Sequence, residues 1–418
     1  MQHHKHTLAN GLTLIGEHNP EARSLAMGFF VKTGARDESS EVSGVSHFLE
    51  HMMFKGTDKR TPEDVNRQFD EMGARYNAST SEEETIYYGA VLPEFQARLL
   101  DLLADIMRPA LRTADFDTEK NVILEEIAMY QDRPSFRVFD LGRELYFGKH
   151  ALGNSVLGSK ESIASLKRDQ MHEYFGRRYA ANNLTLVMVG NYNWQEAIAG
   201  AEQLCGDWNT ADSPRQHAPF EPKPRLVVSE TDKFNRAHIA LYAPGFAAQD
   251  PRRLAASIAC EVIGSGEGSR LYWALVHDGL AEAAQIGHDA SDGAGAFYGY
   301  ILATPDRAQG ALNIFRSTLA KACADGLSIE EVERSKRRFA SALTLSAETP
   351  MGRLRPVGMD WMLRNQQRTP ETALAELLAV TPEQVNEVLQ TLPFERATIV
   401  ALGPLKELTW KSPREIKQ

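Results

Sequence analysis

Residues 47 to 51 read His-Phe-Leu-Glu-His. Two imidazoles four residues apart are donors suited to a divalent cation, and the carboxylate beside the second could take a proton from a water held there. That chemistry requires both imidazoles on one surface. The surrounding run ESSEVSGVSHFLEHMMFKGT offers serines as N-caps, Val45, Phe48, Leu49, Met52 and Met53 on one broad apolar face, and Gly56 as a stop, so a helix is predicted over about 43–54. On it His47 and His51 stand one turn apart, about 6 Å along the axis, with Glu50 between them. The five-residue motif is weak by itself. A catalytic metal bound by two imidazoles needs a third protein donor and an open position for water.

A second helix, predicted over about 115–132, offers that donor in TEKNVILEEIAMYQDRP, residues 118 to 134. At 100° per residue, Val122, Ile123, Ile127 and Tyr130 mark a buried stripe, with Glu119 and Glu126 inside it and Glu125 outside. Carboxylates set among apolar neighbours are costly unless a cation or a hydrogen-bond donor compensates them. Either Glu119 or Glu126 is therefore a candidate ligand. The other, two turns away on the same face, could orient a ligand from behind, although Glu119 alone reads more readily as a helix-surface charge or an ion-pair partner.

The frame for these helices is an α+β chain. Its 418 residues, 43% hydrophobic, suffice for two or more packed domains. A net charge of −10 without basic runs interleaved with aromatics argues against nucleic acid. Cys205, Cys260 and Cys323 form no paired spacing, which fits a reducing compartment. No apolar run reaches membrane-spanning length, and the first residues lack the pattern of a leader. A cytoplasmic location is expected, or a periplasmic one if a leader has been removed. The His-His-Lys-His at 3–6 reads as a frayed terminus.

The chain also repeats itself. LAMGFFV at 25–31 returns as HIALYAP at 238–244, and NLTLVMVGNY at 183–192 returns as RATIVALGPL at 396–405, both 213 residues later. Two similar halves follow, each an α/β roll of mixed sheet packed with helices. The expected division is a metal-binding domain at 1–212, an extended linker at 213–225 with four prolines, and a homologous domain at 226–418. Strands are predicted in the first half near 12–17, 25–32, 75–80, 85–91 and 184–190. Adding 213 to His47, Glu50, His51 and Glu126 lands on Cys260, Ile263, Gly264 and Phe339, so only the first half is expected to hold a metal. The acidic run at 82–84 is compatible with basic peptides but reads more simply as a solvated face.

These residues resemble peptidase family M16, the inverzincins, whose motif is HxxEH followed after about 75 residues by a glutamate. The resemblance is in particular to the two-domain members that include the mitochondrial processing peptidase β subunit. The likeness runs through LANGLTLI, VSHFLEHMMFKGT, MGARYNASTSEEETIYY, EKNVILEEIAMYQDRP, HALGNSVLG, RYAANNLTLVMVGN and GEGSRLYWAL. It implies a zinc endopeptidase working in a dimer chamber, with His47, His51 and Glu126 as ligands, Glu50 as general base and Glu119 as a supporting carboxylate. It also implies that Asn77 and Ala78 meet the backbone of a peptide substrate added to a sheet edge. One departure stands out. Many members carry an Arg and a Tyr seven apart that hold the substrate carbonyl, whereas alignment on Gly279 puts Leu275 and Glu282 there. A heterodimer with a metal-free homologous subunit bearing that pair is expected. A non-catalytic scaffold and a factor that matures one dedicated peptide remain open alternatives.

Overall fold

The computed structural model describes residues 1–218, 220–392 and 394–410. Pro219 of the expected linker and residues 411–418 of the expected second half lie outside the described residues. The strands are β1 (Gln2–Thr7), β2 (Thr13–His18), β3 (Leu25–Val31), β4 (Arg75–Thr80), β5 (Thr85–Val91), β6 (Leu184–Gly190), β7 (Arg225–Glu230), β8 (Ala237–Pro244), β9 (Ala283–Ser291), β10 (Ala294–Ala303) and β11 (Thr398–Gly403). The helices of the first half are α1 (Val45–Met52), α2 (Pro62–Glu71), α3 (Gln96–Ile106), α4 (Thr113–Gln131), α5 (Pro134–Phe147), α6 (Lys160–Ser165), α7 (Arg168–Arg178) and α8 (Trp194–Cys205). Those of the second are α9 (Arg253–Gly264), α10 (Ala308–Asp325), α11 (Ile329–Ala347), α12 (Pro350–Arg364), α13 (Pro370–Ala379) and α14 (Pro382–Gln390). None of the described helices is long and apolar enough to cross a membrane.

Among the described residues the strands form two mixed sheets packed with helices, in the orders β1-β2-β6-β3-β5-β4 and β7-β11-β8-β10-β9. From β2 onward the two orders match strand for strand. The pairs β2-β6 and β7-β11 are parallel and all others antiparallel. The 213-residue repeat is thus β3 with β8 and β6 with β11. These central strands are continuous apolar runs because both faces of each sheet are covered. In the first sheet, Met27, Phe29 and Leu186 face Phe48, Leu103 and Ile123, while Ala26, Phe30 and Val187 on the opposite face meet Leu354 and Val357 of α12. In the second, Ile239, Leu241 and Ile399 face Ile258, Phe315 and Val385, while Ala240, Tyr242 and Val400 meet Val138 and Tyr146 of α5.

The chain separates into two compact units. One contains Met1–Ala128, Asn154–Gln216 and Thr344–Pro370, and the other Met129–Gly153, His217–Leu343 and the described residues from Glu371 onward. The break between Gln216 and His217 falls inside 213–225, but two helices depart from a division at 1–212 and 226–418. The first half's α5 belongs with the second unit, and the second half's α12 with the first. The reading of residues 3–6 as a frayed end does not hold either. They lie in β1, which pairs with β2 from Gln2 opposite His18 to Thr7 opposite Thr13. Four polar residues in a row hid a strand whose partner supplies the apolar side.

Candidate metal centre

The N-cap of α1 is Gly44 rather than a serine. Gly44 has φ of 90°, which favours glycine, and the orphan amides of the first turn go to Glu38, whose carboxylate accepts from Gly44 N at 2.7 Å and Ser46 N at 2.8 Å. Burial pushes the Glu38 carboxyl up to about 8 against these hydrogen bonds. The apolar residues of α1 are buried as the sequence requires, and the helix is thereby fixed with His47 and His51 facing α4.

On α4 the buried residues are Phe116, Glu119, Ile123 and Ile127. Val122 is 42% exposed, so the stripe runs about one position to the side of the predicted one. Both glutamates still face α1. Glu126 Oε2 lies 3.8 Å from His47 Nε2 and 3.5 Å from His51 Nε2, and the three side chains offer donor atoms all within 4.8 Å of one another. These separations exceed a hydrogen bond. They approximate the roughly 3.4 Å between donors that each sit about 2.1 Å from a tetrahedral cation. Among the described residues no other group of three such donors comes together. His47 Nδ1 is buried without a hydrogen-bond partner, and burial, with His51 beside it, pulls the His47 pKa down to about 3. A neutral imidazole of that kind suits a cation better than a proton.

His51 is supported from behind. Its Nδ1 lies 2.8 Å from Glu119 Oε1, which leaves Nε2 directed at Glu126. Burial alone would lower the His51 pKa, but the hydrogen bond and charge of Glu119, with Glu126 and Glu50, carry it above the ordinary value. Glu119 is opposed by burial yet held low by His51 and Lys55. Glu50 is pushed up by burial, while the Thr80 hydroxyl donates to its Oε2 and works the other way. Thr80 and Lys55 escaped the sequence reading. Lys55 continues the four-residue spacing of His47 and His51, but Thr80 lies 30 residues from Glu50 and leaves no local signal.

Asn77 and Ala78 lie on β4, the edge strand of the first sheet. Asn77 is exposed, and its Oδ1 accepts from Ala78 N at 2.9 Å. In the adjacent acidic run, Glu83 and Glu84 are 7% and 5% exposed, which overturns the solvated-face reading. Glu83 pairs with Arg36 and Glu84 with Arg355. In the second unit, Leu275 is fully buried within its core, and Glu282 is ion-paired with Arg236. At the four positions 213 residues beyond the metal-site residues, Cys260 and Ile263 are core residues.

A duplicated two-sheet fold with imidazoles and a carboxylate converging on one side defines a class of two-domain metallopeptidase. Two family profiles match the chain, "Insulinase (Peptidase family M16)" over residues 13–160 and "Peptidase M16 inactive domain" over 165–339. The Bacillus subtilis protein named as the uncharacterized zinc protease YmxG is 31% identical across 96% of this chain and 98% of its own length. A Streptomyces coelicolor protein, also named a zinc protease, is 29% identical across 96% of this chain and 89% of its own. Among solved structures, a protease from Helicobacter pylori superposes with a TM-score of 0.90 at 19% identity, covering 96% of this chain and 99% of that one. A Pseudomonas fluorescens structure described as a peptidase M16 inactive domain also gives 0.90, at 18% identity. The chain belongs to peptidase family M16.

Proposed function

We propose that this chain is a zinc-dependent endopeptidase acting on peptides or unfolded segments. The convergence of His47 Nε2, His51 Nε2 and Glu126 Oε2, with Glu50 on the same helix as the two imidazoles, carries the reading. The zinc-protease names of the relatives support the choice of metal. When bound, zinc supplies a Lewis acid that acidifies water and polarises a carbonyl. His47, His51 and Glu126 hold it, and Glu119 keeps the His51 Nδ1 proton occupied so that Nε2 stays the donor. Glu50 takes the proton of the attacking water and delivers it to the leaving amine. The Thr80 hydroxyl fixes one oxygen of Glu50. Asn77 and Ala78 receive the substrate backbone along β4.

A further part of the proposal concerns the partner. Leu275 and Glu282 offer no cation and no phenol at the positions where many family members carry Arg and Tyr, and both side chains are already committed within their unit. Removal of such an electrophilic group costs a peptidase about two to three orders of magnitude. A metal-free homologous subunit that carries the pair would restore it, making this chain the zinc-bearing half of a heterodimer.

Glu50→Gln should retain zinc by elemental analysis and lose about 10²–10⁴-fold in hydrolysis of a quenched unstructured peptide. Turnover near the parent's rate would sink the assignment. Affinity capture with zinc analysis should recover a homologous partner. A lone purified chain whose rate does not rise when that partner is added would remove the heterodimer.

A further inference from the structure

The contacts behind His51 extend one residue past Glu119. Glu119 is 3% exposed, and its two oxygens have separate partners, His51 Nδ1 on Oε1 at 2.8 Å and Lys55 Nζ on Oε2 at 2.6 Å. The His51 contact is a hydrogen bond, whereas the Lys55 contact is an ion pair outside hydrogen-bond geometry, so Oε2 has the ammonium charge as its counterpart and no hydrogen-bond donor. Lys55 follows His51 by four residues but lies beyond the end of α1, where the chain is itself tied down. Its amide donates to Met52 O at 3.1 Å, and its carbonyl accepts from Arg112 Nη1 at 3.2 Å. The ammonium therefore reaches Glu119 from a held backbone.

Resting on the metal-centre reading above, we infer that Lys55 is a positioning residue of that centre: it holds Glu119 in the orientation that presents Oε1 to His51. Lys55 touches neither the metal nor the substrate. Its effect passes through the buried carboxylate, which without a counter-charge would turn toward solvent, because an unpaired buried charge is strongly disfavoured. His51 would then lose the acceptor on Nδ1 that fixes its ring and its tautomer. An exposed lysine pair contributes little, but this pair has a buried partner on one side, and that partner supports a ligand.

The test is zinc affinity, by competition with a chromophoric chelator at one pH, on the full chain and on Lys55→Met, Lys55→Gln, Lys55→Arg, Glu119→Gln and the Lys55→Met/Glu119→Gln double variant. Lys55→Met and Lys55→Gln should each weaken binding by about 10- to 100-fold, as loss of an outer-shell partner typically does. Lys55→Arg should recover most of that loss, and the metal-free variants should melt close to the parent. Because Lys55 acts through Glu119, the double variant should bind no more weakly than Glu119→Gln alone. Parent-like affinity in Lys55→Met and Lys55→Gln, or losses that add in the double variant, would overturn the inference while the metal centre stands. A parent chain that binds no zinc would overturn both.

Discussion

Two histidines on one helix turn are driven in opposite directions by their surroundings: burial pulls His47 down to about 3, while the carboxylates around His51 raise it. The site is thus defined by what each imidazole touches more than by the motif. Glu126→Gln should cost zinc affinity by more than the roughly 10- to 100-fold expected for a supporting residue such as Glu119, which chelator competition would measure. Glu38, the carboxyl at the start of α1, gives a pH effect whose sign is fixed. Its folded pKa, about 8, lies above the ordinary 4.5, so between those values the folded chain keeps a proton that the unfolded chain releases. Stability should therefore fall as pH rises from about 4.5 to 8 and level off above that. Urea midpoints across this window should slope less in Glu38→Gln than in the parent, and an unchanged slope would exclude Glu38 as its source.

The elements show why helix and strand positions were legible and their partners were not. The predicted strands 75–80, 85–91 and 184–190 coincide with β4, β5 and β6, because alternation and apolar runs are local properties of the chain. The stripe predicted on α4 lies about one position from the buried one because Val122 is as apolar as its neighbours yet faces solvent. At the sheet edge, the Ala78 amide already has a partner in Asn77 Oδ1, which an added strand would have to displace. Ala78→Pro removes that donor. It should raise KM by about tenfold, close to the value of one backbone hydrogen bond, without loss of zinc, and an unchanged KM would mean that substrate does not add there. On α12, a Cβ at Gly358 would sit 2.2 Å from the Phe30 ring. Gly358→Ala should destabilise the chain by about 1–3 kcal/mol, as overpacked cores do, read from denaturant unfolding.

At the scale of the whole molecule, the two units are not the two halves of the sequence. The first sheet's outer face, with Ile15, Phe30 and Val187, is covered by Leu354 and Val357 of α12, and the second sheet's face at Tyr242 by Val138 and Tyr146 of α5. Each buried side chain of this size contributes about 1.5–3 kcal/mol, so a half without its exchanged helix exposes a substantial apolar face. Fragments 1–212 and 213–418 expressed apart should be insoluble or expanded, whereas co-expression should yield a pair that co-elutes with native-like circular dichroism. Two fragments that fold independently would show that the exchanged helices are dispensable.

The sequence alone determined the metal-ligand candidates, the duplication, the central strands of both sheets and the two helices that carry those candidates, since ligand spacing and apolar periodicity are written along short stretches of chain. It determined less about what holds those ligands. Thr80 on Glu50, Lys55 on Glu119, Glu38 on the start of α1, the pairing of β1 and the exchange of α5 and α12 are contacts made across the fold, most of them between residues far apart in the chain. No local period encodes such contacts. Only the packed tertiary structure, in which a polar group must find a partner wherever the chain brings one, decided them.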